Sequence, residues 1–176
     1  MKILIIGSQG SGKTTQSKLL SEYLRIPFIE TGETLRDLAK KEFAESKRVK
    51  ELLDRGKMVP DDIVAKLIKI RVNEKDCSRG FVMNGYPRNL SQINLFDPGF
   101  DRVFYLEVND ELVLERLLKR GREDDTKELI EKRLSDYHTQ TVPILEYYQK
   151  LGILETVDGV DTIDAIQERI RSRLDG

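Results

Sequence analysis

Residues 2 to 16 decide the fold, with the sequence Lys2-Ile-Leu-Ile-Ile-Gly-Ser-Gln-Gly-Ser-Gly-Lys-Thr-Thr-Gln16. The apolar run Ile3–Ile6 is too short for a helix and rich in β-branched residues, which predicts a buried parallel strand. A glycine-rich segment follows it. The next segment has a helical apolar pattern formed by Leu19, Leu20, Tyr23 and Leu24. We therefore expect a strand, a tight loop and a helix in direct succession.

The glycine-rich segment has the spacing of a phosphate-binding loop. Gly7, Gly12, Lys13 and Thr14 match the pattern G-x-x-x-x-G-K-[ST], and Gly10 adds a further glycine. Glycines let successive backbone N–H groups turn towards phosphate oxygens, and the following helix contributes its positive N-terminal end. Lys13 can reach the outer phosphates, and the Thr14 hydroxyl can ligate Mg²⁺. The motif predicts binding of a nucleoside polyphosphate.

Composition excludes several classes of protein. The chain has 176 residues, enough for one core and a small inserted subdomain. Its 30 basic and 31 acidic residues nearly cancel, so neither nucleic acid nor a membrane surface is an expected partner. The lone Cys77 forms no internal disulfide, and no Cys or His cluster could hold zinc. With no signal peptide or long apolar span, we expect a cytoplasmic protein, and by default a monomer.

Strands and helices alternate along the whole chain. The predicted strands are residues 3–6, 27–30, 81–84, 103–108 and 152–157. This alternation predicts a five-stranded parallel sheet with helices on both faces, in a single domain spanning residues 1–176. Three predicted helices separate the second and third strands and suggest a helical insert at about residues 31–72. A charged break at about residues 121–126 is too short for more than a small lid. Pro143 should interrupt the next helix near Val142.

Parallel sheets bind ligands beyond the carboxyl ends of their strands. The segments expected to converge there are Gly7–Thr14, Thr31–Arg36, Gly85–Arg88 and Asp158–Gly159. Six arginines could grip phosphate oxygens at this edge, namely Arg36, Arg88, Arg116, Arg120, Arg122 and Arg133. Phosphoryl transfer needs alignment and charge compensation rather than acid–base chemistry, and such a site supplies both.

The chain has no guanine-reading Asn-Lys-x-Asp pattern, which argues against a GTPase. Glu107 is better explained as a strand-edge carboxylate than as a metal ligand.

The motifs together resemble the adenylate kinase family of nucleoside monophosphate kinases over nearly the whole chain. The resemblance rests on Gly7–Gln16, Thr31-Gly-Glu-Thr-Leu-Arg36, Gly56-Lys-Met-Val-Pro-Asp61, Gly80-Phe-Val-Met-Asn-Gly-Tyr-Pro-Arg88 with Gln92, Arg122-Glu-Asp-Asp125, and Lys132-Arg-Leu134.

The resemblance implies a role for each motif. ATP would be bound by Gly10, Ser11, Gly12, Lys13, Thr14, Thr15, Arg120 and Gly159. AMP would be bound by Thr31, Gly32, Arg36, Lys57, Met58, Val59, Gly85, Arg88 and Gln92. The catalytic residues implied are Lys13, Arg88, Arg122 and Arg133, with Thr14 on Mg²⁺. Within the AMP site, Arg36 and Arg88 would bind the phosphate, while Thr31 and Gln92 would read the base.

Two alternatives to an AMP kinase stay open at this stage. The first is a kinase for UMP, CMP or dCMP. Thr31 favours AMP, because pyrimidine kinases usually have alanine there, but Asn89 is a residue those kinases often carry. The second is a nucleotide-binding module without turnover.

The chain departs from the family pattern at the metal site. Asn84 and Glu33 each stand where the family usually has aspartate, and Thr14 replaces a common glycine. We hypothesise that the Thr14 hydroxyl binds Mg²⁺ directly and compensates for the carboxylate absent at Asn84.

Overall fold

The computed structural model describes residues 1–40, 46–54, 59–121 and 125–174. The strands are β1 (Lys2–Ile6), β2 (Phe28–Glu30), β3 (Phe81–Asn84), β4 (Arg102–Glu107) and β5 (Leu154–Asp158). The α-helices in these ranges are α1 (Lys13–Leu24), α2 (Thr31–Ala39), α3 (Ser46–Asp54), α4 (Asp61–Val72), α5 (Leu90–Leu95), α6 (Asp110–Arg120), α7 (Lys127–Asp136), α8 (Val142–Lys150) and α9 (Ile163–Ser172). Among the described residues, no helix combines the length and hydrophobicity needed to cross a lipid bilayer.

The five strands form one sheet in the order β2-β3-β1-β4-β5, and every pairing is parallel. In the central strand, Ile5 lies opposite Asn84 of β3 on one side and Phe104 of β4 on the other. The predicted five-stranded parallel sheet is therefore confirmed, with strand ends shifted by one or two residues.

Both faces of β1 are buried, which explains its unbroken apolar sequence. Because side chains alternate along a strand, Leu4 and Ile6 enter one core, with side chains from α4, α5 and α8. Ile3 and Ile5 enter the other core, where Leu20 of α1 and side chains from α9 pack against them. Helices packed on both faces therefore fix the position of the sheet and of the loops at its carboxyl edge.

The helical apolar pattern predicts Tyr23 to be buried, and the same periodicity predicts buried positions for Ile70, Leu118 and Ile163 in later helices. All four side chains are exposed instead. On α1 the buried face carries small polar residues, Ser17 and Ser21, beside Leu20. The Tyr23 ring lies outside this face, under the guanidinium of Arg171 at 4.3 Å from the ring centroid. The other three residues lie in the first or last turn of their helices.

The long helix predicted after residue 127 is broken where Pro143 requires it. A π-helical turn, Tyr137–Thr141, separates α7 from α8, and Pro143 lies in the first turn of α8. A proline is tolerated there because the first N–H groups of a helix have no intrahelical partner. Further upstream, α2, α3 and α4 lie between β2 and β3, where the sequence predicts the insert. Residues 122–124 of the predicted lid lie outside the described residues.

Candidate active site

The loops that leave the carboxyl ends of the strands are joined by direct contacts. Thr31, at the end of β2, donates its hydroxyl to the Asn84 carbonyl at the end of β3, at 3.0 Å. On the other half of the sheet, the Gly159 N–H donates to the Glu107 carbonyl at 2.9 Å. Arg116 then donates to the Gly159 carbonyl at 3.3 Å. The predicted segments therefore lie at one edge of the sheet.

The phosphate-binding loop has the backbone that its glycines predict. Gly10 and Gly12 have φ values of 87° and 90°, a region that side chains strongly disfavour. Gly12 is also the N-cap of α1, and no side chain caps this helix. The first N–H groups of α1 are therefore free to bind an anion. The buried Ser11 Oγ has no hydrogen-bond partner in the described part of the chain.

Lys13 is held inside this loop, where its ammonium donates to the Ser8 carbonyl at 3.1 Å. Burial and the nearby Arg88 guanidinium lower the Lys13 pKa to about 8, with Arg120 contributing in the same direction and Glu30 opposing both. The positive side chains of Lys13 in α1, Arg88 in the turn after β3 and Arg120 in α6 are thus close enough for Arg88 and Arg120 to destabilise the charged form of Lys13. A bound polyphosphate would relieve that repulsion.

Asp125 orients two of the predicted phosphate-binding arginines. Its fully buried carboxylate accepts hydrogen bonds from Arg120 at 2.7 and 2.8 Å and from Arg133 at 3.5 Å. In the sequence, Asp125 is better explained as a carboxylate that orients the lid arginines or caps the next helix than as a metal ligand. Through Asp125, Arg120 at the end of α6 is connected to Arg133 of α7, next to the predicted lid.

On the acceptor side, the turn after β3 brings Arg88 next to β2 and α2. Gly85 has a φ of 82°, and a Cβ there would lie 3.3 Å from the Thr31 hydroxyl oxygen and 3.7 Å from the Arg88 guanidinium. The Arg88 Nε donates to the Gly85 carbonyl at 3.0 Å. Arg36 lies over Gly32, where its guanidinium would be 3.4 Å from an added Cβ. Thr31, Gly32, Arg36, Gly85 and Arg88 therefore form one continuous surface.

Gln92 contacts the Arg88 end of this group of residues and is almost fully buried. Its Oε1 accepts the Arg88 backbone N–H at 2.8 Å, and its Nε2 donates to Asp61 at 2.7 Å. Asn89 is the N-cap of α5, because its Oδ1 accepts the Gln92 backbone N–H at 2.8 Å. Val59 is buried in the core that contains Leu4 and Ile6. Lys57, Met58 and Arg122 lie outside the described residues.

The unusual Asn84 contacts the unusual Thr14. The Asn84 Nδ2 donates to the Thr14 Oγ1 at 3.3 Å, so two of the three departures from the family pattern are neighbours in space. The contact uses one lone pair of the hydroxyl oxygen and leaves the other available.

Sequence reasoning missed two residues at this edge. Asp61 is the last residue of the quoted motif Gly56–Asp61, but the sequence assigns it no role at the site. Thr141, in the π-helical turn, donates to the Arg88 carbonyl at 2.9 Å and gave no signal in the sequence.

Comparison with known proteins agrees with this geometry. A family model described as adenylate kinase matches residues 5–153. The chain is 40% identical to an adenylate kinase of Bifidobacterium longum, with 99% of this chain and 100% of that protein aligned. It is 39% identical to one of Renibacterium salmoninarum (99% and 96% aligned) and 36% identical to one of Nocardia farcinica (96% of each). With the fold, the loop and the cationic edge in agreement, the chain belongs to the adenylate kinase family.

Proposed function

We propose that this protein catalyses the reversible transfer of the γ-phosphoryl group from ATP to AMP, which yields two molecules of ADP. The proposal is supported by the convergence of Lys13, Arg88 and Arg120, which come from three separate elements. Burial and the two guanidinium groups lower the pKa of Lys13. Such a cluster compensates the charge that develops when two phosphate chains meet. We further propose a cytoplasmic monomer without nucleic-acid or membrane partners.

ATP would occupy the loop side of the site. Its phosphates would accept hydrogen bonds from the backbone of residues 10–15, from the Ser11 hydroxyl and from Lys13. Arg120 and the backbone of Gly159 would lie beside the donor adenine. Arg133, which shares Asp125 with Arg120, and Arg122 would then face the phosphoryl group in transfer.

AMP would occupy the surface between α2 and the turn after β3, with its phosphate on Arg36 and Arg88. Residues 57–59 would line its base. The Thr31 hydroxyl proton is committed to the Asn84 carbonyl, so this oxygen can only accept a hydrogen bond from a base. The amino group of adenine is such a donor. The Asn89 side chain caps α5 and donates to Asp61. These two contacts explain the presence of Asn89 without a pyrimidine substrate.

The residues present suit Mg²⁺ as a metal that arrives with ATP. Thr14 offers a hard oxygen donor at the start of α1, and Mg²⁺ in such sites takes one or two protein ligands together with substrate phosphates. When bound, the ion would shield the phosphate charge and fix the geometry of the phosphates. Thr14 would hold it, and Asn84 would orient the Thr14 hydroxyl.

We expect Thr14→Gly to raise the Mg²⁺ concentration needed for half-maximal ATP binding by roughly tenfold, because a metal ligand is lost. Asn84→Asp should change it far less. Thr14→Ser keeps the hydroxyl and serves as the matched control. Titration of a fluorescent ATP analogue at several Mg²⁺ concentrations measures all three, and equal, small effects of the first two changes would rule out compensation by Thr14.

ATP binding should take up protons at mildly alkaline pH. The Lys13 pKa is about 8 in the free protein, and bound phosphates raise it, so the complex binds more protons than the free protein. At pH 8 the uptake should be about half a proton, and ATP affinity should fall as the pH rises further. Calorimetry in two buffers of different ionisation enthalpy measures the uptake. Lys13→Met should abolish it, and proton release by the wild type would contradict the assignment.

A coupled assay of ADP formation tests the function itself. Mg-ATP would be supplied with AMP, UMP, CMP or dCMP in turn, and AMP should have the highest kcat/KM. A higher kcat/KM for a pyrimidine monophosphate than for AMP would show that the pyrimidine nucleotide is the acceptor. Binding of ATP and AMP without ADP formation would leave only a nucleotide-binding module.

A further inference from the structure

The carboxylate of Asp61 joins two side-chain amides of the segment that begins α5. One oxygen accepts from the Gln92 Nε2 at 2.7 Å, and the other accepts from the Asn89 Nδ2 at 3.1 Å. Asp61 lies in the first turn of α4, where the positive end of the helix favours a carboxylate. It therefore connects the helical insert to the acceptor side of the site across about thirty residues of sequence.

These contacts determine which way the Gln92 amide points. By shape alone, the oxygen and the nitrogen of a glutamine amide are interchangeable. Here a donor, the Arg88 backbone N–H, faces one end, and an acceptor, the Asp61 carboxylate, faces the other. Turning the amide over would place oxygen against carboxylate and N–H against N–H. The backbone of Gln92 is fixed as well, since its N–H donates to the Asn89 Oδ1 at 2.8 Å.

The held amide retains one N–H and one oxygen lone pair for a ligand. Adenine offers the complementary edge, with an acceptor at N1 and a donor at N6. Hypoxanthine and guanine offer the opposite edge, with a donor at N1 and an acceptor at O6. A glutamine amide turned over would match that second pattern. The orientation of the amide is thus a choice between two classes of purine.

We propose that Asp61 is a positioning residue that sets selectivity for 6-aminopurine over 6-oxopurine monophosphates, by holding the Gln92 amide in one orientation. The inference rests on the proposed function, because it assigns the acceptor base to Gln92. Asp61 touches neither the reacting phosphates nor the base. It acts on the base through the Gln92 amide, and its second oxygen holds Asn89, the N-cap of the helix that carries Gln92.

The test compares AMP with IMP as acceptors for Mg-ATP in the wild type, Asp61→Asn and Asp62→Asn. An asparagine at position 61 can present either a donor or an acceptor to Gln92, so both amide orientations become accessible. The ratio of kcat/KM for AMP to that for IMP should fall about tenfold, the value of one hydrogen bond to a charged group. The KM values should change much more than kcat, and turnover of IMP should rise in absolute terms. Asp62→Asn removes the same charge one residue away, at an exposed position, and should leave the ratio unchanged.

The ratio is measured within one variant, so a smaller folded fraction cancels from it, and Asp61→Ser provides a second variant at the same position. A lower ratio at position 61 with an unchanged ratio at position 62 supports the inference. Equal losses for AMP and IMP in both position-61 variants would reduce Asp61 to a structural contact and overturn it. A wild type that does not phosphorylate AMP would instead overturn the proposed function, so the two failures are distinguishable.

Discussion

Replacing Lys13 with methionine should reduce ADP formation about a thousandfold, because one charge that compensates the transferring phosphoryl group is lost. Methionine has a similar length and no charge. The ammonium of Lys13 lies within the loop and donates to the Ser8 carbonyl, so nearby water cannot easily replace it. Steady-state kinetics with saturating AMP measures the effect. Lys18→Met, an exposed change on the same helix, is the control and should leave kcat within about twofold.

The same variant should be more stable than the wild type when no nucleotide is bound. Burial and the neighbouring Arg88 hold the Lys13 pKa at about 8 in the folded protein, below its usual value of 10.5. The folded state therefore binds fewer protons than the unfolded state between these two values, and the protonated lysine costs stability below pH 8. The Tm advantage of Lys13→Met should be largest at pH 7 and should shrink as the pH rises towards 10. A variant less stable than the wild type at pH 7 would show that the ammonium is not strained in the empty site.

Arg88→Lys should lower kcat/KM for AMP by a factor of about 100 to 1,000 although the positive charge is retained. The Arg88 backbone is fixed by Gln92 on one side and Thr141 on the other, and its Nε is anchored to the Gly85 carbonyl. The guanidinium fork is thus presented in one geometry. A lysine would offer a point charge without the paired donors.

The effect of Arg88→Lys should be specific to the acceptor. The KM for ATP should change less than about threefold, since the loop side of the site keeps its backbone donors. Arg79→Lys is the matched control, because Arg79 precedes β3 and therefore lies at the opposite end of the strand. Equal increases in both KM values would place Arg88 between the two nucleotides rather than on the AMP phosphate.

The sequence predicted structure best where a residue type permits few backbone conformations or environments. The apolar run of β1 could be assigned to a buried parallel strand because only a sheet covered on both faces accommodates it. The loop could be assigned because Gly10 and Gly12 adopt a backbone that other residues avoid. Pro143 predicted a helix break for an equally local reason, although the π-helical form of the break was not foreseeable.

Long-range contacts were beyond the reach of sequence patterns. Asp61 and Gln92 are separated by 31 positions, and no periodicity links a first-turn carboxylate to a distant amide. The contact between Asn84 and Thr14 spans 70 positions and became visible only once β3 lay beside β1. Exposure of Tyr23 was missed because an apolar stripe specifies a helix face but not what packs against it.

Two nucleotides should lie end to end across the phosphate-binding loop, so one ligand that carries both nucleosides should fill both sites at once. A molecule of two adenosines joined by five phosphates should span both halves of the site. Calorimetry should give one such molecule bound per chain, and its binding should exclude ATP and AMP together. If two molecules bound to each chain, or if AMP still bound with full affinity to the saturated protein, the two nucleotide sites would not be adjacent and direct transfer between them would be excluded.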